Sequence, residues 1–278
     1  MPLLSDFRDR EHWSFSSINQ FLNICSLRWA FQRLYRVEPE FHAVALPFGS
    51  AFHRTLEWVA LTWKEGKATP EAEARALFDE VWRRELTEAG PVKFDDDENV
   101  ETYSVLGQDM AACFVKERDP DEQVVAVNQA FCVPLVDAAG VALEKPLVGE
   151  TDCQVRKNGQ SVIVDWKSAG RRWPKDKAAH DLQPTAYLYA AGQLGMGTET
   201  FRFDVVVKNK TPVLERHVTT RNPDQFGRLV ACVKTIERMV AAEHFMPSEQ
   251  SFFCAGCSFK GACRAWHRQK ARVVSVAA

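Results

Sequence analysis

The segment PLVGETDCQVRKNGQSVIVDWKSA, residues 146–169, constrains the fold of this chain more than any other. Asn-Gly between two strand-forming runs is the strongest short-range signal for a two-residue hairpin turn, because both turn positions need positive φ. A turn at Asn158-Gly159 pairs Lys157 with Gln160 and sets the register upstream, since a slip of one residue would exchange the faces of a strand. In that register Asp152 falls opposite Asp165 and Glu150 opposite Lys167, all four on one face. Thr151, Cys153, Val155, Val162, Val164 and Trp166 share the other face, which suits a buried side. Directly opposed Cβ atoms lie about 5 Å apart. Two carboxylates held there repel, and a divalent cation between them removes the repulsion. Lys167 would stand beside that cation, placed to orient an attacking water, lower its pKa or neutralise a pentavalent phosphate.

Around the hairpin the periodicities alternate as an α/β chain requires. Ser14 and Ser16 are candidate caps for a helix through Ile18, Phe21, Leu22 and Cys25 toward Tyr35. Phe52, Leu56, Val59, Ala60 and Trp63 recur at helical spacing in a helix starting near Gly49, with His53 beside the stripe. Two more amphipathic helices cover roughly 70–89 and 101–118, separated by an acidic loop with Asp95, Asp96 and Asp97. After Pro120 come a strand over QVVAVNQAFCVPLV, the hairpin, and the basic loop RRWPKDK. The helix DLQPTAYLYAAGQLG follows, with Pro184 in its first turn and a stop at Gly195. Strands FRFDVVVK and VLERHV and a helix capped by Asn222 complete the pattern. With neither repeats nor a linker, the chain reads as a single domain, 1–278: a mainly helical region 1–120, a sheet core 121–220, and a C-terminal helix with a cysteine cluster over 221–278.

The formal net charge of −2 means that nucleic acid, if bound, meets a local basic surface. Arg171, Arg172, Lys175 and Lys177 directly follow the acidic strand and are candidates for gripping a phosphate backbone. Lys260, Arg264, Arg268, Lys270 and Arg272 form a second basic stretch. No apolar run is long enough to span a membrane and no signal peptide is evident, so a cytoplasmic protein with reduced thiols is expected. Of the eight cysteines, Cys113, Cys132, Cys153 and Cys232 lie among apolar neighbours and read as small core residues. Cys254, Cys257 and Cys263 form C-x2-C-x5-C, a metal signal in a reducing compartment. Thiolates suit an iron–sulfur cubane or zinc, and His267 offers zinc a fourth ligand without Cys25.

Taken together, these residues resemble the RecB-like branch of the PD-(D/E)XK nucleases. Asp152 matches the first acidic position, Asp165-Trp166-Lys167 the D-x-K, Gln183 and Tyr187 the Q-x3-Y, and His53 the upstream histidine. Cys25, Cys254, Cys257 and Cys263 match the cluster of the iron–sulfur members, which include the AddB nuclease domain and the CRISPR-associated RecB-like exonucleases. Thr151, Trp166, Ser168 and Pro184 depart from the usual neighbours without removing a functional group. The resemblance implies a restriction-endonuclease-like mixed central sheet flanked by helices. It also implies a [4Fe-4S] cluster joining the N- and C-terminal segments. Mg²⁺ or Mn²⁺ would be held by His53, Asp152, Asp165 and the Trp166 carbonyl, with Lys167 positioning water and Gln183 and Tyr187 contacting Lys167, the water or a phosphate. Glu150 matches no ligand and is expected to pair with Lys167.

The activity so implied is hydrolysis of DNA phosphodiesters, as an exonuclease on single strands or ends. A structure-specific endonuclease would instead cut covalently closed circles. A nucleic-acid-processing subunit, partnered with a helicase or a CRISPR-adaptation protein, would bind DNA strongly but cleave little alone. The chain has no P-loop motif, so ATP hydrolysis is not expected.

Overall fold

The structure, a computed structural model, describes residues 3–94 and 97–276, and side chains as far as residue 269. Asp95 and Asp96 of the expected acidic loop, and the side chains of Lys270 and Arg272, fall outside it. The N-terminal region begins with α1 (Ser5–Arg8), which buries none of its residues, and is anchored at Trp13. The Trp13 backbone exchanges bonds with Pro146 and Val148, and its indole donates to Glu237 at 3.0 Å. Ser14 then caps α2 (Phe15–Asn19), its hydroxyl accepting from the Ser17 N–H at 3.2 Å. The expected continuous helix to Tyr35 does not form. Cys25 is extended (φ −173°) and separates α2 and a π turn, Gln20–Ile24, from α3 (Ser26–Trp29) and a second π turn, Ala30–Leu34. The break has a local cause: the Cys25 thiol accepts the Arg28 N–H at 3.4 Å, acting as the cap of α3.

A short strand, β1 (His42–Ala43), leads into α4 (Ala45–Lys64), which starts one turn before the expected Gly49 because Pro47 is tolerated in a first turn. Next come α5 (Glu71–Ala89), β2 (Val92–Lys93) and α6 (Val100–Lys116), the last opened by a capping box on Asn99. Gly107 lets α6 approach α5, since a Cβ there would lie 1.9 Å from the Phe78 ring. The central sheet has the order β3 (Gln123–Val133), β4 (Leu147–Lys157), β5 (Gln160–Ala169), β6 (Thr200–Val207), β7 (Val213–Thr220). Only β5 and β6 run parallel, so the sheet is mixed. The β5-to-β6 connection carries α7 (Lys177–His180) and α8 (Leu182–Gln193), and α9 (Pro223–Ala241) follows the sheet behind its own Asn222 capping box. α10 (Phe252–Ala255) and α11 (Lys260–Val276) end the described chain.

The sheet is covered on both faces. Val124, Cys153, Val155, Val164, Trp166 and Val206 pack against α4, α5 and α6, whereas Ile163, Phe201, Phe203, Val205 and Val207 pack under α7 and α8. Each large apolar side chain removed from water this way contributes roughly 1.5–3 kcal/mol. Cys153 joins the first core, but Cys132 is exposed and Cys113 and Cys232 are only partly covered, so one of the four expected core cysteines is fully buried. No described helix is long and apolar enough to cross a membrane.

Candidate active site

The site grows out of a hairpin that stops pairing where its chemistry begins. Asn158 (φ 50°) and Gly159 (φ 78°) make the expected turn with positive φ at both positions. From it the ladder runs as expected through Lys157↔Gln160 to Cys153↔Val164. There it ends: Asp152 and Asp165 are not ladder partners, and neither are Glu150 and Lys167. In the continued register Trp166 would exchange both backbone bonds with Thr151. Instead its N–H donates to Asp152 Oδ2 at 2.8 Å. A side chain has taken the place of a backbone acceptor, so β5 continues along β6 while β4 continues along β3, and the strands fork.

The fork gathers the predicted residues. Glu150, Asp152, Asp165, Lys167, Gln183, Tyr187 and His53 line one cavity of about 720 Å³. His53, from α4, brings Nδ1 to 3.3 Å from Asp152 Oδ2. Gln183 sits in the first turn of α8, oriented by the Asp181 cap, which accepts its N–H at 2.9 Å, and its amide donates to Asp165 Oδ1. Lys167 Nζ lies 2.5 Å from Asp165 Oδ2, an oxygen that is buried and has no well-aligned hydrogen bond. The ammonium therefore belongs to Asp165, and Glu150 is not its partner, because the fork carries the two strands apart. Tyr187 packs edge-on against Phe131 and Phe201.

Burial and charge split the two aspartates. Burial raises the Asp165 carboxyl to about 6 even though Lys167 pulls it down. Burial also opposes ionisation of Asp152, but His53, Lys167 and the Trp166 N–H overcome it and hold that carboxyl below its ordinary value. Burial alone would lower His53, and the Asp152 carboxylate reverses the sign. Lys167 is likewise raised by the aspartates against burial. Burial, then Asp165, pushes the Tyr187 phenol well up, so it stays protonated.

Among the described residues, no group of three or more His, Cys, Asp and Glu side chains is already drawn together tightly enough to hold a metal ion. The donors at the fork nevertheless suit a hard cation. They are two carboxylates and an imidazole, with a poorly satisfied buried oxygen on Asp165. N–H and C=O of one strand residue point to the same side, so the Trp166 carbonyl, whose N–H meets Asp152, also faces the fork.

Cys25, Cys254, Cys257 and Cys263 line a second cavity, of about 230 Å³, with Phe31, Phe253 and Phe259 in its walls. Burial, then the charges of Cys25, Cys257 and Cys254, pushes the Cys263 thiol up. Sulfur donors around an apolar cavity are soft ligands of the kind that suit iron or zinc. His267 lines the same cavity, with its Nε2 3.5 Å from Glu249 Oε1.

Of the basic residues expected at the DNA, Arg172 is paired to Glu215 at 2.7 Å and Lys177 lies over Trp173. None of Arg171, Arg172, Lys175 and Lys177 lines the cavity at the fork. Its basic wall comes instead from Arg8 and Arg33, beside His12, Ser14 and Ser16. No motif marked them, and Ser14 and Ser16 were legible only as helix caps.

The sequence matches the PD-(D/E)XK nuclease superfamily over residues 12–264, and the chain belongs to that superfamily. A provisionally named exonuclease from Eubacterium rectale has a similar crystal structure, with a TM-score of 0.54 over 92% of this chain and 93% of its own. At 14% identity that likeness concerns the fold alone. The protein SSO0001 matches over 84% of this chain and 91% of its own, at 13% identity and a TM-score of 0.39. No curated protein matches the chain significantly.

Proposed function

We propose that the protein is a metal-dependent deoxyribonuclease of the RecB-like, iron–sulfur branch, acting as an exonuclease on single-stranded DNA or DNA ends. The fork carries this reading: it places Asp152, Asp165, His53 and Lys167 in one cavity, with Gln183 on Asp165. Asp152, Asp165, His53 and the Trp166 carbonyl would hold Mg²⁺ or Mn²⁺. When bound, the ion would polarise a phosphate oxygen and acidify a water. Lys167 has its ammonium beside the reacting centre and can donate to that water or to the phosphate, whose charge grows in the transition state. Gln183 fixes which Asp165 oxygen faces the site. Tyr187, held protonated, can donate to a phosphate oxygen. The products would be a 5′-phosphate and a 3′-hydroxyl.

End-labelled oligonucleotides incubated with Mg²⁺ or Mn²⁺ test this. Degradation should be lost in Asp165→Ala and Lys167→Ala proteins that keep their fold. Intact substrate with the native protein in both metals would contradict the reading, and cleavage of covalently closed circles would turn it toward an endonuclease.

Cys25, Cys254, Cys257 and Cys263 would hold a [4Fe-4S] cluster. Zinc on the three C-terminal cysteines and His267 is the rival, since His267 lines the same cavity. Metal analysis of anaerobically purified protein separates them: iron with visible absorbance, lost in Cys25→Ala, supports the cluster, whereas zinc retained in Cys25→Ala supports the rival.

A further inference from the structure

The catalytic cavity has a second charged wall that the metal chemistry does not use. Arg8, at the end of α1, and Arg33, in the second π turn, line it together with His12. The same three residues line an adjoining groove of about 680 Å³ of mixed charge, which continues past Arg10 and Arg36 and also holds Asp9, Glu11, Glu144 and Glu237, of which Glu11 is paired with Lys145 and Glu237 accepts the Trp13 indole. Other arginines of the molecule are neutralised by carboxylates: Arg54 by Glu85, Arg83 by Glu101, Arg202 by Glu122 and Asp204. Among the described residues, Arg8 and Arg33 form no ion pair and no hydrogen bond. They are close: partial enclosure and then the Arg8 charge lower the Arg33 pKa. Glu150 lines the same cavity and feels the Arg8 charge but makes no ion pair with it, so two guanidinium groups held near each other still gain from a bound anion. His12 adds little, because its Nδ1 faces the Arg10 carbonyl at 2.7 Å, so a neutral ring turns only an acceptor toward the cavity.

We propose that Arg8 and Arg33 form a second phosphate site that grips the backbone of single-stranded DNA at a nucleotide adjoining the bond being cut, and leads the strand into the groove beyond. The proposal rests on the nuclease reading above. Guanidinium forks chelate phosphate oxygens and read no base, so the site binds without regard to sequence. The groove continues beyond the arginines, so the strand passes through and the ligand is an internal phosphodiester, not a terminal phosphate. Arg8 sits on a segment anchored at Trp13 with no buried residue of its own, so it can adjust to the strand.

The experiment is fluorescence anisotropy of labelled single-stranded oligonucleotides, with 5′-hydroxyl and 5′-phosphate ends, in chelator so that nothing is cut. Both arginines are exposed, so alanine variants should keep the native melting temperature. Arg8→Ala and Arg33→Ala should each weaken binding on the order of tenfold, the loss of one charge-assisted contact. The double variant should flatten the slope of log affinity against log salt by about 0.7, one single-strand phosphate. Arg33→Lys should keep the slope and lose part of the affinity. In metal, KM should rise while kcat stays within about threefold. Arg228→Ala, on an exposed stretch of α9, should change nothing. Wild-type affinity and slope in the double variant, while the native protein cuts DNA, overturn the proposal and leave the nuclease reading standing. A loss confined to 5′-phosphorylated ends also overturns it, in favour of a terminal pocket. A native protein that neither binds nor cuts DNA overturns both.

Discussion

At the forked hairpin, acids and base arrive on neighbouring strands whose register a two-residue turn sets, whereas at the cysteine-lined cavity the four thiols come from residue 25 and from residues 254–263, joined by no ladder. The hairpin concentrates negative charge that folding must oppose. Asp165 is buried and its oxygens face Lys167 and Gln183, and the hairpin below the fork together with the parallel pairing to β6 holds it there. The cysteine cavity works the other way. Leu27, Phe31 and Phe259 are buried around it, and a bound centre would tie the N-terminal helices to the C-terminal segment. On the proposed reading, function at the first centre would cost stability, and stability at the second would depend on what it binds.

The sharpest test of that contrast is Asp165→Ala. It should lower cleavage by at least about 10³-fold, the several kcal/mol expected of a lost metal ligand. It should leave the melting temperature in chelator unchanged or raised, because an uncomfortable buried carboxylate is gone. Cys254→Ala should do the reverse in order of severity. Even a quarter of the roughly 10–16 kcal/mol that structural zinc gives small folds would exceed 2.5 kcal/mol, or a drop of about 5–10 °C for a chain of this size. Activity should then fall with the folded fraction. Thermal melts and initial rates on both variants check the pair; equal destabilisation by the two would erase the distinction.

How much of this could be seen in the sequence follows the range of each interaction. The Asn158-Gly159 turn, the Ser14, Asn99 and Asn222 caps and the helical stripes are local, and of these the Asn99 box alone was not anticipated. The common face of Asp152, Asp165 and Lys167 followed from strand period and the register set by the Asn158-Gly159 turn. The fork did not, because it depends on a carboxylate displacing a backbone acceptor on Trp166, a competition that residue spacing cannot settle. The break at Cys25 was hidden for the same reason: a thiol caps a new helix inside an unbroken apolar pattern. Arg8 and Arg33 escaped entirely, since a π turn and a solvent-facing segment bring them to the cavity and neither leaves a periodic trace.

The charge stored at the fork should also show in pH. Asp165 is raised to about 6 by burial, above the roughly 3.9 of an unfolded aspartate. Between those values the native state binds the extra proton, so metal-free stability falls as pH rises from about 4 to 6. Two pKa units bound the effect at about 3 kcal/mol, and Asp152, held low, acts only below that window. A cation replaces the proton, so the rise in melting temperature on adding Mg²⁺ should be larger at pH 7 than at pH 5. In Asp165→Asn both the pH slope and its Mg²⁺ dependence should shrink. A native protein whose Mg²⁺ stabilisation is flat from pH 5 to 7 would place the cation elsewhere.

The smallest expected effect isolates the scaffold from the charge. Gly159 holds φ at 78°, and alanine there costs about 1–2 kcal/mol, the penalty of a left-handed conformation. Five ladder pairs, from Lys157↔Gln160 to Cys153↔Val164, separate that turn from the fork. They are backed by Val155 and Val164 in the core, so a strained turn should loosen the tip without moving Asp152 and Asp165. Gly159→Ala should therefore melt a few degrees lower and keep kcat within about twofold. The metal content of the cysteine cavity should not change. A large loss of kcat in that variant would mean that the turn, and not the packed ladder, holds the two carboxylates at the spacing the cation requires.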